Sequence, residues 1–162
     1  MSGIVPVRGF KGYYITDEGV VYSERKNRAV RIKERIKESS SGLVYKYVWL
    51  THGYGVSTTR LVHRLVYESF NDITLKRNQQ VFFKNFWTLD CRLDNLSLDK
   101  PMYKLQEQEK WVKGYEGEYF TNGDEVFSLK SGDIPNQILV SEEGGYKYFF
   151  VKEDGKTKKL RI

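Results

Sequence analysis

The sequence predicts an α+β fold with more strand than helix: a β-rich N-terminal module, a small central core and a second β-rich copy of the module. Three observations predict it. Short stretches rich in Val, Tyr and Thr are separated by turn residues, which is typical of β-hairpins. One stretch, residues 62–70, has apolar side chains at helical spacing. The N-terminal pattern also recurs near the C-terminus, and such a repeat indicates a duplicated structural unit.

Two hairpins are predicted in the first module. The first is expected to turn at Asp17-Glu18, and the second within residues 52–55, which contain two glycines. The four strands of these hairpins are predicted at residues 12–16, 19–23, 44–51 and 56–61.

Residues 62–70 are predicted to form an amphipathic helix. Leu65 and Val66 each follow an apolar residue four positions earlier, which places the apolar side chains on one face. Arg64 and Glu68 have the same spacing and are expected on the polar side of the helix.

The remaining elements are predicted downstream of this helix. Residues 80–98 are expected to form a ββα unit, with two short strands and a short helix around residues 92–96. A charged segment containing Pro101 is the expected linker. The second module is again β-rich, with turns at Gly144-Gly145 and Asp154-Gly155. The predicted domains are residues 1–60 (module), 61–100 (core), 101–110 (linker) and 111–162 (second, truncated copy).

The internal repeat has two parts. Residues 112–128 align with residues 7–23 at a constant offset of 105 residues (112 against 7). Residues 146–151 align with residues 45–50 at an offset of 101 (146 against 45). We therefore expect the same strands in the same order in both copies.

Composition narrows the function classes. A single cysteine excludes an intrachain disulfide and is typical of the reducing cytoplasm. One cysteine and two histidines argue against a structural zinc site. Since no apolar run approaches the roughly 20 residues of a membrane span, and no signal peptide is visible, we expect a cytoplasmic protein without a membrane partner.

Positive charge is concentrated in the first hundred residues. Residues 1–100 contain 17 Lys and Arg against 10 Asp and Glu, a net charge of +7, whereas residues 101–162 contain 10 against 11, a net charge of −1. The densest stretch, residues 25–37, is suited to neutralising DNA phosphates, although a solvated surface is the alternative interpretation. The predicted phosphate contacts are Arg25, Lys26, Arg28, Arg31, Lys33, Arg35, Arg60 and Arg64.

Three segments resemble one known family. Residues 81–98 resemble the pattern V-[ND]-H-x-D-G-N-x-x-[ND]-N-x-x-x-N-L-x-[LW] of HNH homing endonucleases from phages and introns. Residues 60–70 are similar to the R-V-H-R-L-V-x-x-A-F helix that precedes the metal site in that family. Residues 5–23 resemble the module G-[YF]-x-G-x-Y-x-[VI]-[ST]-[ND]-x-G-x-V-x-S that is found before many of these nucleases. Together they cover most of residues 4–98.

The resemblance implies a nuclease relative that has lost its catalytic residues. Phe82 stands where the family has a metal-binding Asn or Asp, Phe83 where it has the histidine that activates water, and Cys91 where it has the middle Asn. Asn95 is retained. Because phenylalanine provides neither a metal ligand nor a transferable proton, we expect no catalytic residue, no metal site and no cofactor. Aromatic residues 82–87 are expected either to fill the vacated pocket or to form an exposed apolar surface.

These observations favour two function classes, and a third is a less favoured alternative. The first is a non-catalytic, phage-encoded protein that binds duplex DNA, with Asn95 and His63 in structural roles. The second is a protein-interaction module that inhibits or modulates a host enzyme or defence system. The third is an active Mg²⁺-dependent nuclease that uses carboxylates from Asp90, Asp94 and Asp99.

Overall fold

The computed structural model describes residues 3–40, 42–130 and 135–162, which form two compact units, residues 1–101 and 102–162. Within these ranges, strands account for 43% of the chain and helix for 10%, with one α-helix and five sheets. The α+β prediction is therefore wrong, because the protein is mostly β. None of the described helices is long and apolar enough to cross a membrane.

Unit 1 consists of two antiparallel meanders, one helix and a short hairpin. The first meander has the strand order β1-β2-β3-β4 and the second the order β5-β6-β7. Their strands are β1 (Ile4–Pro6), β2 (Tyr13–Thr16), β3 (Val21–Arg25), β4 (Arg28–Ile32), β5 (Arg35–Glu38), β6 (Val44–Thr51) and β7 (Ser57–Leu61). Both predicted hairpins are confirmed, as β2–β3 and β6–β7.

Helix α1 (Val62–Asn71) begins directly after β7, as predicted. The helix has a wholly buried side because its apolar residues recur every three or four positions. Its buried side chains are Val62, His63, Leu65, Val66 and Glu68. The expected placement of Glu68 on the polar side is wrong, because its side chain is buried and its Oε2 accepts a hydrogen bond of 3.1 Å from Arg60 at the end of β7.

The predicted ββα unit is also wrong. Its two strands form, as β8 (Phe82–Phe83) and β9 (Leu96–Ser97), which pair antiparallel. Between them lies a single 3₁₀ turn, Leu93–Asn95, and no α-helix. Three residues cannot sustain an α-helix, whose first turn is costly to nucleate. The chain instead returns at once to an extended conformation at Leu96.

Gly19 allows the β2–β3 turn to approach the helix. Its φ is +86°, a conformation that glycine adopts without a steric cost. A Cβ atom at this position would lie 3.0 Å from Val62 Cγ1 and 3.1 Å from Cys91 Cβ. The β2–β3 turn, the start of α1 and the segment before the 3₁₀ turn therefore pack closely because residue 19 has no side chain.

Unit 2 repeats the two meanders in the same order. The strand order is β10-β11-β12-β13 in one sheet and β14-β15-β16 in the other. The strands are β10 (Lys110–Trp111), β11 (Tyr119–Thr121), β12 (Val126–Ser128), β13 (Asn136–Ile138), β14 (Ser141–Glu143), β15 (Tyr146–Glu153) and β16 (Lys156–Arg161). The strand pattern of the repeat is thus confirmed in these ranges.

The constant offset of 105 residues is wrong within β11. The backbone N–H of Val7 donates to the carbonyl of Tyr13, and the N–H of Val112 donates to the carbonyl of Tyr119. Val112 therefore matches Val7 at an offset of 105, but Tyr119 matches Tyr13 at 106. The β11–β12 turn is one residue shorter than its counterpart, which restores the offset of 105 at Val126.

Each unit has its own apolar core. The core of unit 1 includes Ile15, Val21, Val48, Leu50 and the buried side of α1. The smaller core of unit 2 is built from Tyr119, Val126, Phe149 and Val151. The burial of Val48 and Leu50 in β6 matches that of Phe149 and Val151 in β15, as the offset of 101 predicts.

Replacing Gly19 with alanine should destabilise unit 1 by about 3 kcal/mol. The left-handed backbone costs a residue with a Cβ about 1–2 kcal/mol, and the overpacking against Val62 and Cys91 adds about 1–3 kcal/mol. The matched control is Gly9→Ala, which has a φ of +78° but no atom within 4 Å of the added Cβ. Urea unfolding measures both, and equal losses would contradict the importance of the contact.

Candidate nucleic-acid interface

The segment that resembles a nuclease active site is part of the core of unit 1. Phe83 is only 6% exposed, and its ring centroid lies 4.9 Å from that of His63 and 6.3 Å from that of Tyr45. Phe82 is half-buried. Trp87, in contrast, is 64% exposed at the loop that follows. The aromatic residues thus divide, with Phe83 filling the core and Trp87 facing solvent.

Asn95 holds the β8–β9 loop together. Its Oδ1 accepts a hydrogen bond of 2.9 Å from the backbone N–H of Asn85, and its Nδ2 donates one of 2.8 Å to the carbonyl of Asp90. The side chain is 6% exposed, so both bonds are shielded from water. The expected structural role of Asn95 is confirmed by these bonds, which keep the loop closed.

The carboxylate of Asp90 is fully engaged. Arg92 binds it in a bidentate manner, with Nε and Nη2 each 2.8 Å from one oxygen, and Asn85 Nδ2 donates a further bond of 2.7 Å. These bonds lower the pKa of Asp90 to about 2, the hydrogen bond from the Arg92 side chain being the largest cause. The oxygens of Asp90, one of the three carboxylates that the nuclease alternative required, are therefore directed at protein donors. In the described ranges, no three His, Cys, Asp or Glu side chains are grouped as metal ligands would be.

Cys91 is buried beside the start of α1, since its Cβ and Val62 Cγ1 lie 3.1 Å and 3.0 Å from the place that a Cβ atom would take at Gly19. No side chain of the N-cap residue itself, Leu61, caps the helix. Burial raises the pKa of Cys91 to about 11, so the thiol stays protonated and unreactive at neutral pH.

His63 is buried without a partner for one ring nitrogen. Its side chain is 5% exposed, and Nδ1 has no hydrogen-bond partner. Burial, assisted by the nearby charge of Arg64, lowers the pKa of His63 to about 3. The ring is therefore neutral at pH 7 and serves as a packing element between Tyr45 and Phe83.

The cations of the first meander are displayed at a hairpin tip. Strands β3 and β4 are joined by Lys26 and Asn27, whose φ values of +49° and +60° are those of a two-residue type I′ turn. Arg25 and Arg28 are directly opposite each other in the register. All four residues are exposed. This tip projects three positive charges into solvent.

The positive charge continues along two edge strands. β4 is the last strand of its sheet and β5 the first of the next, and Lys33-Glu34 connects them. Arg31 pairs with Glu34 at 3.3 Å, whereas Lys33 and Arg35 are exposed. We call residues 25–37 the basic edge, since it contains seven Lys and Arg against one Glu.

Arg60 and Arg64 donate their hydrogen bonds inside unit 1. Arg60 binds Glu68, whose side chain is only 5% exposed, and also lies over the ring of Phe10. Arg64 donates to the backbone carbonyls of Gln79 and Lys76. From the sequence, Arg60 and Arg64 could be grouped with the basic edge only because of their charge. Their hydrogen-bond partners lie eight or more residues away in the chain.

Sequence reasoning missed a second group of surface residues. Trp49 and Phe150, at equivalent positions of β6 and β15, are 51% and 49% exposed. Each is the end of a row of alternating aromatic residues, Tyr-x-Tyr-x-Trp and Tyr-x-Tyr-x-Phe. The alternation was a usable signal, since residues two apart in a strand share a face.

Comparison with known proteins finds no match: no family, no curated protein and no solved structure is significantly similar to this chain. Function is therefore inferred from the residues themselves.

Replacing Arg60 with alanine should lower the free energy of unfolding by about 3 kcal/mol, because it leaves the buried carboxylate of Glu68 without its charge partner. We place the loss at the lower end of the usual range since the Arg60 side chain is 38% exposed. Arg25→Ala is the control and should change stability by no more than about 0.5 kcal/mol. Chemical denaturation measures both, and a neutral Arg60→Ala would show that the pair is dispensable.

Acid should destabilise the protein through His63. The unfolded side chain binds a proton near its ordinary pKa of 6.5, whereas the folded one does so only near 3. The contribution of neutral His63 to the free energy of unfolding is complete above pH 6.5. It is lost as the pH falls toward 3, by up to about 1.4 kcal/mol per pH unit. Unfolding free energies measured between pH 6.5 and 5 should show this slope. His63→Leu should reduce it and His52→Gln, at the other, exposed histidine, should not.

Proposed function

We propose that this chain is a non-catalytic DNA-binding protein that holds duplex DNA through phosphate contacts of the basic edge. The observation that carries the proposal is a dense group of exposed cations on two edge strands and a hairpin tip. Exposed Lys and Arg on one surface bind backbone phosphate largely without regard to sequence. The proposed contacts are Arg25, Lys26, Arg28, Arg31, Lys33 and Arg35.

The repeat provides an internal control for this interpretation. Strands β13 and β14 of unit 2 correspond to β4 and β5, and the segment 136–143 contains no Lys or Arg. It ends in Glu142-Glu143 instead. The same strand arrangement therefore forms without positive charge in these two strands, and the fold does not require the cations of β4 and β5. Their presence supports a role in binding.

The arginine pair at the hairpin tip supports the same conclusion. Like charges that face each other directly across two antiparallel strands destabilise the pairing. Arg25 and Arg28 have this arrangement, and Lys26 adds a third charge in the turn between them. A bound polyanion would remove the repulsion, so the tip is better suited to a complex than to the free protein.

The lack of catalysis follows from the positions that would have to perform it. Phe82 and Phe83 have no oxygen or nitrogen with which to bind a metal ion or activate water. Asn95 and Asp90 direct their side-chain oxygens at donors of the same loop. The sequence patterns of residues 5–23, 60–70 and 81–98 support descent from a phage HNH homing endonuclease, and a bacterial host cytoplasm as the place of action.

A protein partner is the second candidate function, and Trp87 favours it. Tryptophan is frequent at the energetic centre of protein interfaces. Trp87 is 64% exposed, and its backbone N–H is held by Asn85 Oδ1 at 3.0 Å within the loop that Asn95 closes. Such a rigidly presented side chain is suited to docking on a host enzyme or defence protein.

Replacing Arg25, Lys26 and Arg28 together with alanine should weaken duplex binding and its salt dependence. Each lost phosphate contact lowers the slope of log affinity against log salt by about 0.9. The matched control is the triple alanine variant of Lys104, Lys110 and Lys113, exposed cations of unit 2 that change the net charge equally. Anisotropy with a labelled random-sequence duplex, at about 50 and 200 mM salt with Mg²⁺, measures both variants.

The hairpin variant alone should lose affinity. Equal losses in the two variants would mean that only net charge matters and would contradict the assigned interface. No binding by the wild-type protein at low salt would overturn the duplex proposal in favour of a protein partner. Cleavage of the duplex would overturn the non-catalytic assignment.

A further inference from the structure

Both units display a row of aromatic side chains on one face of a three-stranded sheet. Residues of β6 and β15 alternate between two faces, as in any strand. The apolar residues of one face, Val48 and Leu50 in β6 and Phe149 and Val151 in β15, are buried. The opposite face therefore carries the aromatic rows, which are Tyr45, Tyr47 and Trp49 in unit 1 and Tyr146, Tyr148 and Phe150 in unit 2.

Cations from a neighbouring strand flank each row. In unit 1, Arg35 and Lys37 of β5 are directly opposite Tyr47 and Tyr45. Unit 2 takes its cations from β16, the strand on the other side. Residues directly opposite in register share a face, so rings and cations lie together. The same surface chemistry is thus assembled from different strands in the two copies.

The cations of unit 2 contact the rings directly. Lys159 Nζ lies 4.2 Å from the ring centroid of Tyr148, and Arg161 Cζ lies 3.5 Å from that of Tyr146. Lys159 also pairs with Glu143, which is directly opposite Tyr146 and therefore shares this face. Such cation–π contacts hold the positive groups on the rings of Tyr146 and Tyr148, so that a base stacked on the neighbouring Phe150 would place its phosphate beside them.

The two rows differ in how much of their length is open. In unit 1, Tyr45 packs on the rings of His63 and Phe83, so this end of the row belongs to the core. Its counterpart Tyr146 is 46% exposed. The outer end is open in both, since Trp49 and Phe150 are about equally exposed. In unit 2 the exposed ring without one of these cations over it is Phe150, since Lys159 and Arg161 lie over Tyr148 and Tyr146.

We propose that these two aromatic faces bind single-stranded DNA, with bases stacked on the rings and phosphates contacted by the flanking cations. Proteins that bind single strands without sequence preference combine these two features. Alternate residues of a strand are about 7 Å apart, roughly twice the 3.4 Å rise of one strand in a duplex. An unstacked single strand can match that spacing, whereas paired bases cannot.

This site is distinct from the duplex contacts proposed above in both ligand and location. The rings that carry it are on β6 and β15, whereas the hairpin tip is on β3 and β4. Arg35 of the basic edge flanks the row of unit 1 and is therefore shared, so the tip residues Arg25, Lys26 and Arg28 are the ones that separate the two sites. An apolar protein partner would gain nothing from the cations that flank each row. The combination of rings and cations therefore favours a ligand with both bases and phosphates.

The test is anisotropy with a labelled oligo(dT) of about 16 nucleotides, the upper site size of a comparable domain. Trp49→Ala and Phe150→Ala should each weaken binding about fivefold or more, and the double variant further, because each removes one stacking platform. Trp49→Phe and Phe150→Trp should retain binding, since the ring is what matters. Circular dichroism verifies that each variant is folded.

The matched control is Tyr54→Ala, which removes a fully exposed aromatic residue outside the rows. It should bind as the wild-type protein does, and so should the Arg25, Lys26 and Arg28 triple variant. An equal loss in Tyr54→Ala, or a loss of oligo(dT) binding in the triple variant, would overturn the assignment to the aromatic faces. Absence of oligo(dT) binding would overturn it while leaving the duplex proposal intact, and tighter binding of oligo(U) would identify the ligand as RNA.

Discussion

Unit 1 depends on the close packing at the N-terminus of α1. Gly19 permits the β2–β3 turn to approach Val62, in the first turn of the helix, and the buried Cys91 at the same time. The N–H of Leu93 donates to the carbonyl of Asp17 at 2.7 Å, which ties the same turn to the 3₁₀ turn. Three segments far apart in sequence are thereby fixed around the helix start.

A comparison of the two units shows which secondary-structure elements their common strand arrangement requires. Both units form a four-stranded and a three-stranded meander, so neither α1 nor the β8–β9 hairpin is necessary for that arrangement. In unit 1 these additions cover one end of the β6 aromatic row and enlarge the core. The two copies differ in charge, but both have an aromatic row. Aromatic side chains that are exposed to solvent do not stabilise a monomer. The shared fold thus carries a basic edge in unit 1 and an aromatic row in each unit.

Local signals predicted the hairpins and the helix because glycine turns and helical periodicity act over a few residues. The prediction of a ββα unit failed because contacts that no local pattern encodes determine the conformation of residues 92–96. The chief ones are the two hydrogen bonds of Asn95. Likewise, Arg60 and Arg64 looked like surface cations until their partners were known. The one-residue shift in β11 was hidden because the shorter turn compensates for it. The hairpin tip at residues 25–28 was not predicted, because residues 25–37 stood out by their charge alone and no turn was expected at Lys26-Asn27.

The charged edge strands also have a consequence for self-association. β4 and β5 are unpaired on one side, and an open strand edge is a template for pairing with another chain. Lysine and arginine along such an edge repel a second copy and so protect against aggregation. A polyanion that neutralises these side chains would remove that protection at the same time. The free protein is therefore best shielded from edge-to-edge aggregation when no polyanion is bound, and a substoichiometric polyanion is the condition under which copies would most readily adhere.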